Sequence, residues 1–453
     1  MKRAVFIGIM LASLVNVGWT QTTLDSQQQQ LSDAEKLYGL SLLWSEAKYN
    51  FAFFDQVPEL DWDQAYKEYI PAVLDTKSTY EYYRVLKRFY ALLKDGHSNV
   101  YFPEGFIEKY IDVPAVALQE VDHRAIVRDT ESSLADSLPV GSEILAVDGV
   151  PTTEYLVKHV MPYISSSTEH ILWDWSIRSV NKGLLVGTPG SEVLVKVVKP
   201  DGKISKLKLT RNRFSEQRVV NGGNGNSGQL LEFKPLDGDL SYIALNSFGD
   251  RKIVAQFESL FSRLQDSKGI IIDLRSNGGG STGIGAGIAA FLTSETMVGS
   301  AWRTRKHIAA MKGWASYGSE KHEDYLTGDV WYSEPPDNLV PGPGPKLTMP
   351  ITVLIGRKTA SAAEDFLIFL DKVEHVTLIG EPTFCSTGQP VRFDLPGGGM
   401  ARICTIMISY PDGRDFVGSG IQPDIVVRPT VDSIREGRDP VLERAIKFLR
   451  EQI

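Results

Sequence analysis

Cysteine is nearly absent from the 453 residues: only Cys385 and Cys404 occur, so disulfides do not build the fold. The pair can bridge a hairpin in an oxidising compartment or remain as two free buried thiols, and the sequence leaves both open. Beyond the first twenty residues no stretch is long and apolar enough to cross a bilayer. Long basic runs are missing too. Lys and Arg number 48 against 56 Asp and Glu, a net charge of −8, which argues against nucleic acid as a partner. The seven histidines show neither an HExxH pattern nor clustered ligand spacing, so neither a metal site nor a cofactor is expected.

What is present begins with Met1-Lys2-Arg3 and the apolar stretch AVFIGIMLASLV, followed by the small residues Gly18 and Thr20. A charged start and a short apolar run predict a signal peptide over 1–20. No cysteine follows it, so lipid attachment there is excluded. The expectation is an exported protein, periplasmic or extracellular, with no membrane span after cleavage. At 42% hydrophobic and 23% charged residues, the chain has core enough for two or three domains.

Residues 31–105 read as an aromatic-rich helical segment. Tyr38, Leu42, Trp44, Tyr49, Phe53, Trp62, Tyr66 and Tyr69 fall mostly at three- and four-residue spacings, the pattern of core packing. Asp95-Gly96 stops its last helix, and His97-Ser98 opens a strand-like Asn99–Phe102; a histidine there is by itself an ordinary surface or capping residue. Residues 111–212 alternate like a small β domain, with a helical insertion near 157–185 that holds Trp173 and Trp175. The run Asn221-Gly-Gly-Asn-Gly-Asn-Ser-Gly228 is a linker. From 229 to 453 strands and helices alternate, which predicts a parallel sheet with its site at the strand C-termini. Residues 294–349 are an irregular insertion rich in Trp, Tyr, Gly and Pro, suited to a lid or substrate wall.

Within that last part, Ile351–Ile355 is a β-branched apolar run of the buried-strand kind, and a helix begins at or near Ser361. A serine at such a corner sits where unpaired N–H groups and the positive helix end favour a developing oxyanion. Ser361-Ala-Ala-Glu364 is equally a capping box. A nicotinamide oxidoreductase is a competing reading, from Gly279-Gly-Ser-Thr-Gly283-Ile-Gly285 and Tyr83-Arg-Val-Leu-Lys87. It fails on order, because the Tyr/Lys pair lies upstream of the glycines, inside an N-terminal helix.

Six segments, in this order, resemble the tail-specific, or C-terminal-processing, serine peptidase family. They are Asp95-Gly-His-Ser98, Val140–Gly149, Ile270–Gly280, Thr359-Ala-Ser-Ala-Ala-Glu364, Gly380-Glu-Pro-Thr383 and Gly420-Ile-Gln-Pro-Asp424. The resemblance implies an α/β multidomain chain: a helical N-terminal segment, a PDZ-like domain over 111–212, and a Clp-protease/crotonase-like α/β catalytic domain over 229–453. It implies Ser361 as nucleophile, with the N–H groups of Ala362 and of Gly279 or Gly280 as the oxyanion hole. One branch of the family takes its base from a lysine soon after Gly-Glu-x-Thr; here Ser386 stands at that place, and Lys358 and Lys372 are the lysines nearest Ser361. The other branch, similar to tricorn protease, uses a histidine of the N-terminal segment, which makes His97 the base and Ser98 its neighbour. That branch's glutamate falls near Val417-Gly418, where no acid stands, leaving Glu381, Asp412 or Asp415 as third member. The implied activity is an exported serine endopeptidase acting on proteins or peptides without a cofactor. The alternative is a non-catalytic member that binds peptides or apolar ligands, as retinoid-binding proteins resembling the same family do. No oligomeric state follows from the sequence.

Overall fold

The computed structural model describes residues 30–213 and 228–453. The expected signal peptide (1–20), and all of the linker 221–228 except Gly228, lie outside the described residues.

The helical front is laid down by capping. Ser32 and Glu35 close a reciprocal box at the start of helix α1 (Asp33–Asn50), Asp61 caps α2 (Trp62–Leu74) and Ser78 caps α3 (Thr79–Ala91), each satisfying N–H groups that a first turn cannot. Their buried faces, Leu40 and Leu43 of α1, Trp62 of α2 and Phe89 of α3 among them, join Ile243, Ile272, Val353 and Phe366 in a single core. The N-terminal helices therefore share an interior with the C-terminal part of the chain. Strand β1 (Asn99–Tyr101) follows directly on His97-Ser98.

Between them sits a six-stranded antiparallel sheet, in which β2 (Val116–Val121), β3 (Arg124–Thr130), β4 (Glu143–Val147), β5 (Glu192–Val198) and β6 (Ile204–Thr210) pair in that order and the short strand Val150–Pro151 pairs with β4 off this path. Its core is separate from the first and includes Leu118, Val127, Ile144, Val195 and Trp173. The insertion expected to be largely helical is broken instead. A π turn at Leu156–Val160 and a 3-10 turn at Met161–Tyr163 precede helix α4 (Glu169–Arg178). Pro162, which lacks an N–H, ends the first run. Of the two tryptophans left unplaced by the sequence, Trp173 is buried and Trp175 half-buried.

The C-terminal part carries a six-stranded sheet of β7 (Leu231–Leu236), β8 (Leu240–Leu245), β9 (Gly269–Asp273), β10 (Ile351–Ile355), β11 (Val376–Gly380) and β14 (Ile425–Val426), in spatial order β14-β11-β10-β9-β8-β7. Every pairing is parallel except the β7–β8 hairpin. All five residues of β9 and of β10 are buried, as parallel strands covered on both faces require. Helices α5 (Thr282–Ala289) and α6 (Ala362–Leu370) cover one face, and α7 (Pro440–Gln452) sets Val441, Ala445 and Leu449 against Ile271, Leu354 and Ile379 on the other. The 294–349 insertion contributes to two small sheets: Ala301–Arg305 lies between Trp331–Glu334 and, from outside the insertion, Ile406–Ser409, and Met297–Val298 pairs with Asn338–Leu339. Finally β12 (Val391–Asp394) and β13 (Met400–Ile403) form a hairpin, and β1 adds to it antiparallel, Asn99 facing Arg402. That pairing brings the His97 turn to the C-terminal part. Among the described residues no helix is long and apolar enough to cross a membrane.

Candidate active site

Parallel pairing of β9 and β10 releases two loops side by side at the strand C-termini. One is the glycine turn 274–280 and the other runs from Gly356 to Ser361. Gly279 has φ +95, and a Cβ there would lie 2.6 Å from the Ala360 carbonyl oxygen and 2.8 Å from the Ser361 Cβ. Only glycine permits that approach. Ser361 itself has φ 56 and ψ −125, a conformation a side-chain-bearing residue rarely holds and one that collects at functional sites. Its hydroxyl faces the Glu364 N–H in the arrangement of a capping box, while that N–H donates to the Ser361 carbonyl at 2.6 Å. Two N–H groups make no hydrogen bond among the described residues, those of Ala362, next to Ser361, and of Gly280, next to Gly279. The Gly279 N–H, the other candidate oxyanion donor, is held by Asn277 Oδ1 at 2.9 Å.

Glu364 is fully buried beneath the corner. Its carboxylate accepts from the Ser361 N–H (2.9 Å), the Cys385 N–H (2.8 Å) and the Thr383 hydroxyl (2.5 Å). The sequence shows Glu364 only as a cap. In the fold it also fastens the Gly-Glu-x-Thr loop to the serine corner. Burial outweighs the three donors and pushes its carboxyl up to about 8.

His97 lies on the other side of that loop. Its Nδ1 is 2.5 Å from Ser386 Oγ, and the Ser386 hydroxyl donates to Asp95 Oδ1 at 3.2 Å. Because Ser386 has one proton and gives it to the carboxylate, Nδ1–H must be the donor in the first bond, which leaves Nε2 as an acceptor. Ser98, expected beside a ring nitrogen, bonds elsewhere. Its hydroxyl donates to Asp95 Oδ2 at 2.6 Å and accepts from the Cys404 N–H at 3.1 Å. The Asp95–Gly96 turn is clasped by the insertion, Asp95 N–H donating to Ser165 Oγ (3.0 Å) and Gly96 N–H to Ser167 Oγ (3.1 Å). Burial holds the His97 imidazole down at about 3, with the Arg402 charge adding to it.

No hydrogen bond joins His97 to Ser361 among the described residues. Phe384 stands between the two loops. Its ring centre is 6.5 Å from that of His97, its N–H donates to the Thr359 carbonyl at 2.9 Å, and it clusters with Ala360 and with Ile171 and Trp175 of α4. The three acids proposed from sequence as third member sit apart from this group. Glu381 is forked by Arg357 at 3.0 and 2.8 Å, and Asp412 and Asp415 are exposed, Asp412 paired with Arg414 at 2.9 Å. Of the lysines, Lys358 lies in the loop before Ser361 and burial lowers it to about 8. Cys385 and Cys404 are both free and buried.

These shifts fix a pH response. Between 4.5 and about 8 the folded chain keeps a proton on Glu364 that the unfolded chain releases, so this stabilisation is complete below 4.5 and is lost as pH rises through about 8. His97 runs the other way: unfolded it takes a proton near 6.5, folded only near 3, so its contribution is present above 6.5 and lost as pH falls toward 3. Above 6.5 the Glu364 slope, at most about 1.4 kcal/mol per pH unit, is no longer opposed by His97. Burial pushes the Asp95, Asp365 and Glu381 carboxyls up as well. The unfolding midpoint should therefore fall between pH 6.5 and 8, and Glu364→Gln should make that fall shallower in thermal melts; an identical fall in the variant contradicts the assignment.

Residues 239–427 match the model of peptidase family S41, a span that contains the glycine turn, Ser361, Glu364 and Ser386 but not Asp95 or His97. The structure of mature CPAF aligns over 92% of this chain and 96% of its own, with TM-score 0.69 and 16% identity. Mature CPAF complexed with lactacystin aligns over 92% and 98%, with TM-score 0.68 and 16% identity. A candidate peptidase from Parabacteroides merdae aligns over 93% and 97%, with TM-score 0.52 and 19% identity. At such identities these likenesses establish the mixed α/β multidomain fold alone. The family match goes further: the chain carries a peptidase family S41 domain over residues 239–427 and is a serine-type peptidase.

Proposed function

We propose that the chain is an exported endopeptidase that cleaves proteins or peptides through an acyl-enzyme on Ser361, with His97 as general base. The observation that carries this reading is the Ser361 corner itself, a strained serine at a helix start that abuts the glycine turn, with the N–H groups of Ala362 and Gly280 left unbonded. A serine hydroxyl near pH 7 needs an adjacent base. The Nε2 of His97 takes its proton on attack and returns it to the leaving amine. The oxyanion that forms is met by the two N–H groups, each worth about 3 kcal/mol. Water then releases the acyl group. Ser386 holds the imidazole in the required tautomer and Asp95 carries the balancing charge, filling the role sought from sequence in Glu381, Asp412 or Asp415.

The form described is the resting one. Contact between His97 and Ser361 requires the Phe384 ring to leave its place against Ala360, and a peptide entering along α4 is positioned to displace it. The antiparallel sheet β2–β6 with α4 is the PDZ-like part, suited to an extended peptide added beside β2. Export rests on the charged and apolar start of the sequence.

The separation of His97 from Ser361 favours a second reading, a non-catalytic member that binds peptides or apolar ligands. A fluorophosphonate probe divides the two. Mass spectrometry of the treated protein should find the adduct on Ser361. A folded chain that takes no label, with and without a peptide substrate present, supports the binding protein instead.

A further inference from the structure

A cavity of about 180 Å³ lies behind the His97 turn, away from Ser361 and unused by the chemistry above. Three cationic side chains line it, Lys87 of α3, Arg402 of β13 and Lys182 from the chain after α4, and none of its lining residues is acidic. Lys87 Nζ is tied by one bond to the Val100 carbonyl, at 2.9 Å. Lys182 lays its ammonium over the Trp175 ring, 3.3 Å from its centre. Arg402 donates to the Gly96 carbonyl at 3.2 Å and to Asn99 Oδ1 at 2.8 Å. None of the three has a carboxylate within ion-pair distance among the described residues.

Desolvated cations with no ion-pair partner are costly. The chain registers the strain: burial and the neighbouring Arg84 lower Lys87 to about 8, while burial, Lys87, Arg178 and Arg402 lower Lys182. The Arg402 charge does reach the Asp95 carboxyl, but that group already receives protons from Ser98 and Ser386. A second observation is independent of charge. Tyr90 is also one of the lining residues, only 1% exposed, and its buried hydroxyl has no hydrogen-bond partner. A buried donor left unpaired is itself unfavourable. Cations and an idle donor around one small polar space are what a compact oxyanion requires.

We propose that this cavity binds a small divalent oxyanion of phosphate or sulfate size, held by Lys87, Lys182 and Arg402 and by the Tyr90 hydroxyl. Bound there, it joins α3, the turn that carries His97, and the Trp175 end of α4.

The test uses the full chain and inorganic phosphate. At equal ionic strength and constant pH, 20 mM phosphate should raise the unfolding midpoint above that in chloride by about 2 °C or more, sulfate should do likewise, and acetate should not. Lys182→Met, which keeps the contact with Trp175, should abolish the phosphate increment while melting in chloride no lower than the parent. Tyr90→Phe removes a hydroxyl with no partner, so it should melt at or above the parent in chloride yet bind phosphate several-fold more weakly by calorimetry. The proposal is overturned by the absence of a phosphate shift in the parent, by an equal shift with acetate, or by an undiminished shift in Lys182→Met. Unchanged affinity in Tyr90→Phe removes the hydroxyl from the site.

Discussion

Ser361→Ala is expected to lower peptide hydrolysis by about 10³-fold or more while leaving the fold in place. The Glu364 N–H that faces the hydroxyl already donates to the Ser361 carbonyl at 2.6 Å, so removal of the hydroxyl orphans nothing. The N–H groups of Ala362 and Gly280 stay where they are, and they account for the residual rate over water. The positive φ of residue 361 is disfavoured for serine and alanine alike, so backbone strain does not distinguish the two proteins. Steady-state turnover of a peptide, with a melt of the same samples, checks both halves. Loss of activity with a collapsed melting temperature would mean that the serine serves only the corner's architecture.

His97→Ala should cost a similar factor, about 10³-fold, and the double variant with Ser361→Ala should be hardly worse than either alone, because groups that act as a unit are not additive. Intermediate behaviour separates the orienting groups from the base. Ser386→Ala breaks the connection between Nδ1 and Asp95 but leaves the imidazole, so its loss should be nearer 10²-fold by order of magnitude. Ser98→Ala should do less, since Ser98 bonds to Asp95 and Cys404 rather than to the ring. Turnover surviving His97→Ala at a near-normal rate returns the base to a lysine, with Lys358 the first to test because burial already lowers it to about 8.

The parts of the site legible in the sequence are those made by local chemistry. An apolar strand, a break and a helix start locate Ser361 within one residue of the helix observed at Ala362–Leu370. The glycine turn follows a run of three isoleucines for the same reason. Long-range pairing was not legible. Asp95 reads as half of an Asp-Gly helix stop, and nothing nearby announces that its carboxylate meets a hydroxyl 291 positions away. Ser386 reads only as the place where a lysine is missing. Its role emerges when β1 pairs with β13 and carries the His97 turn alongside the 382–389 loop. Glu364 shows its cap but not its second face, because the residues it holds, Thr383 and Cys385, lie 19 and 21 positions on. The insertion at 157–185 misleads for a simpler reason: its apolar spacing is helical, but a proline and a π turn divide it.

Catalysis by this route depends on one imidazole reaching one hydroxyl once Phe384 moves aside. The rate at which a fluorophosphonate phosphonylates Ser361, with loss of fluoride, compared between the native chain and His97→Ala in the presence of a peptide, measures that dependence directly. The account predicts a fall of about 10³-fold in the variant. Equal rates in the two proteins, or an adduct at any residue other than Ser361, would contradict it.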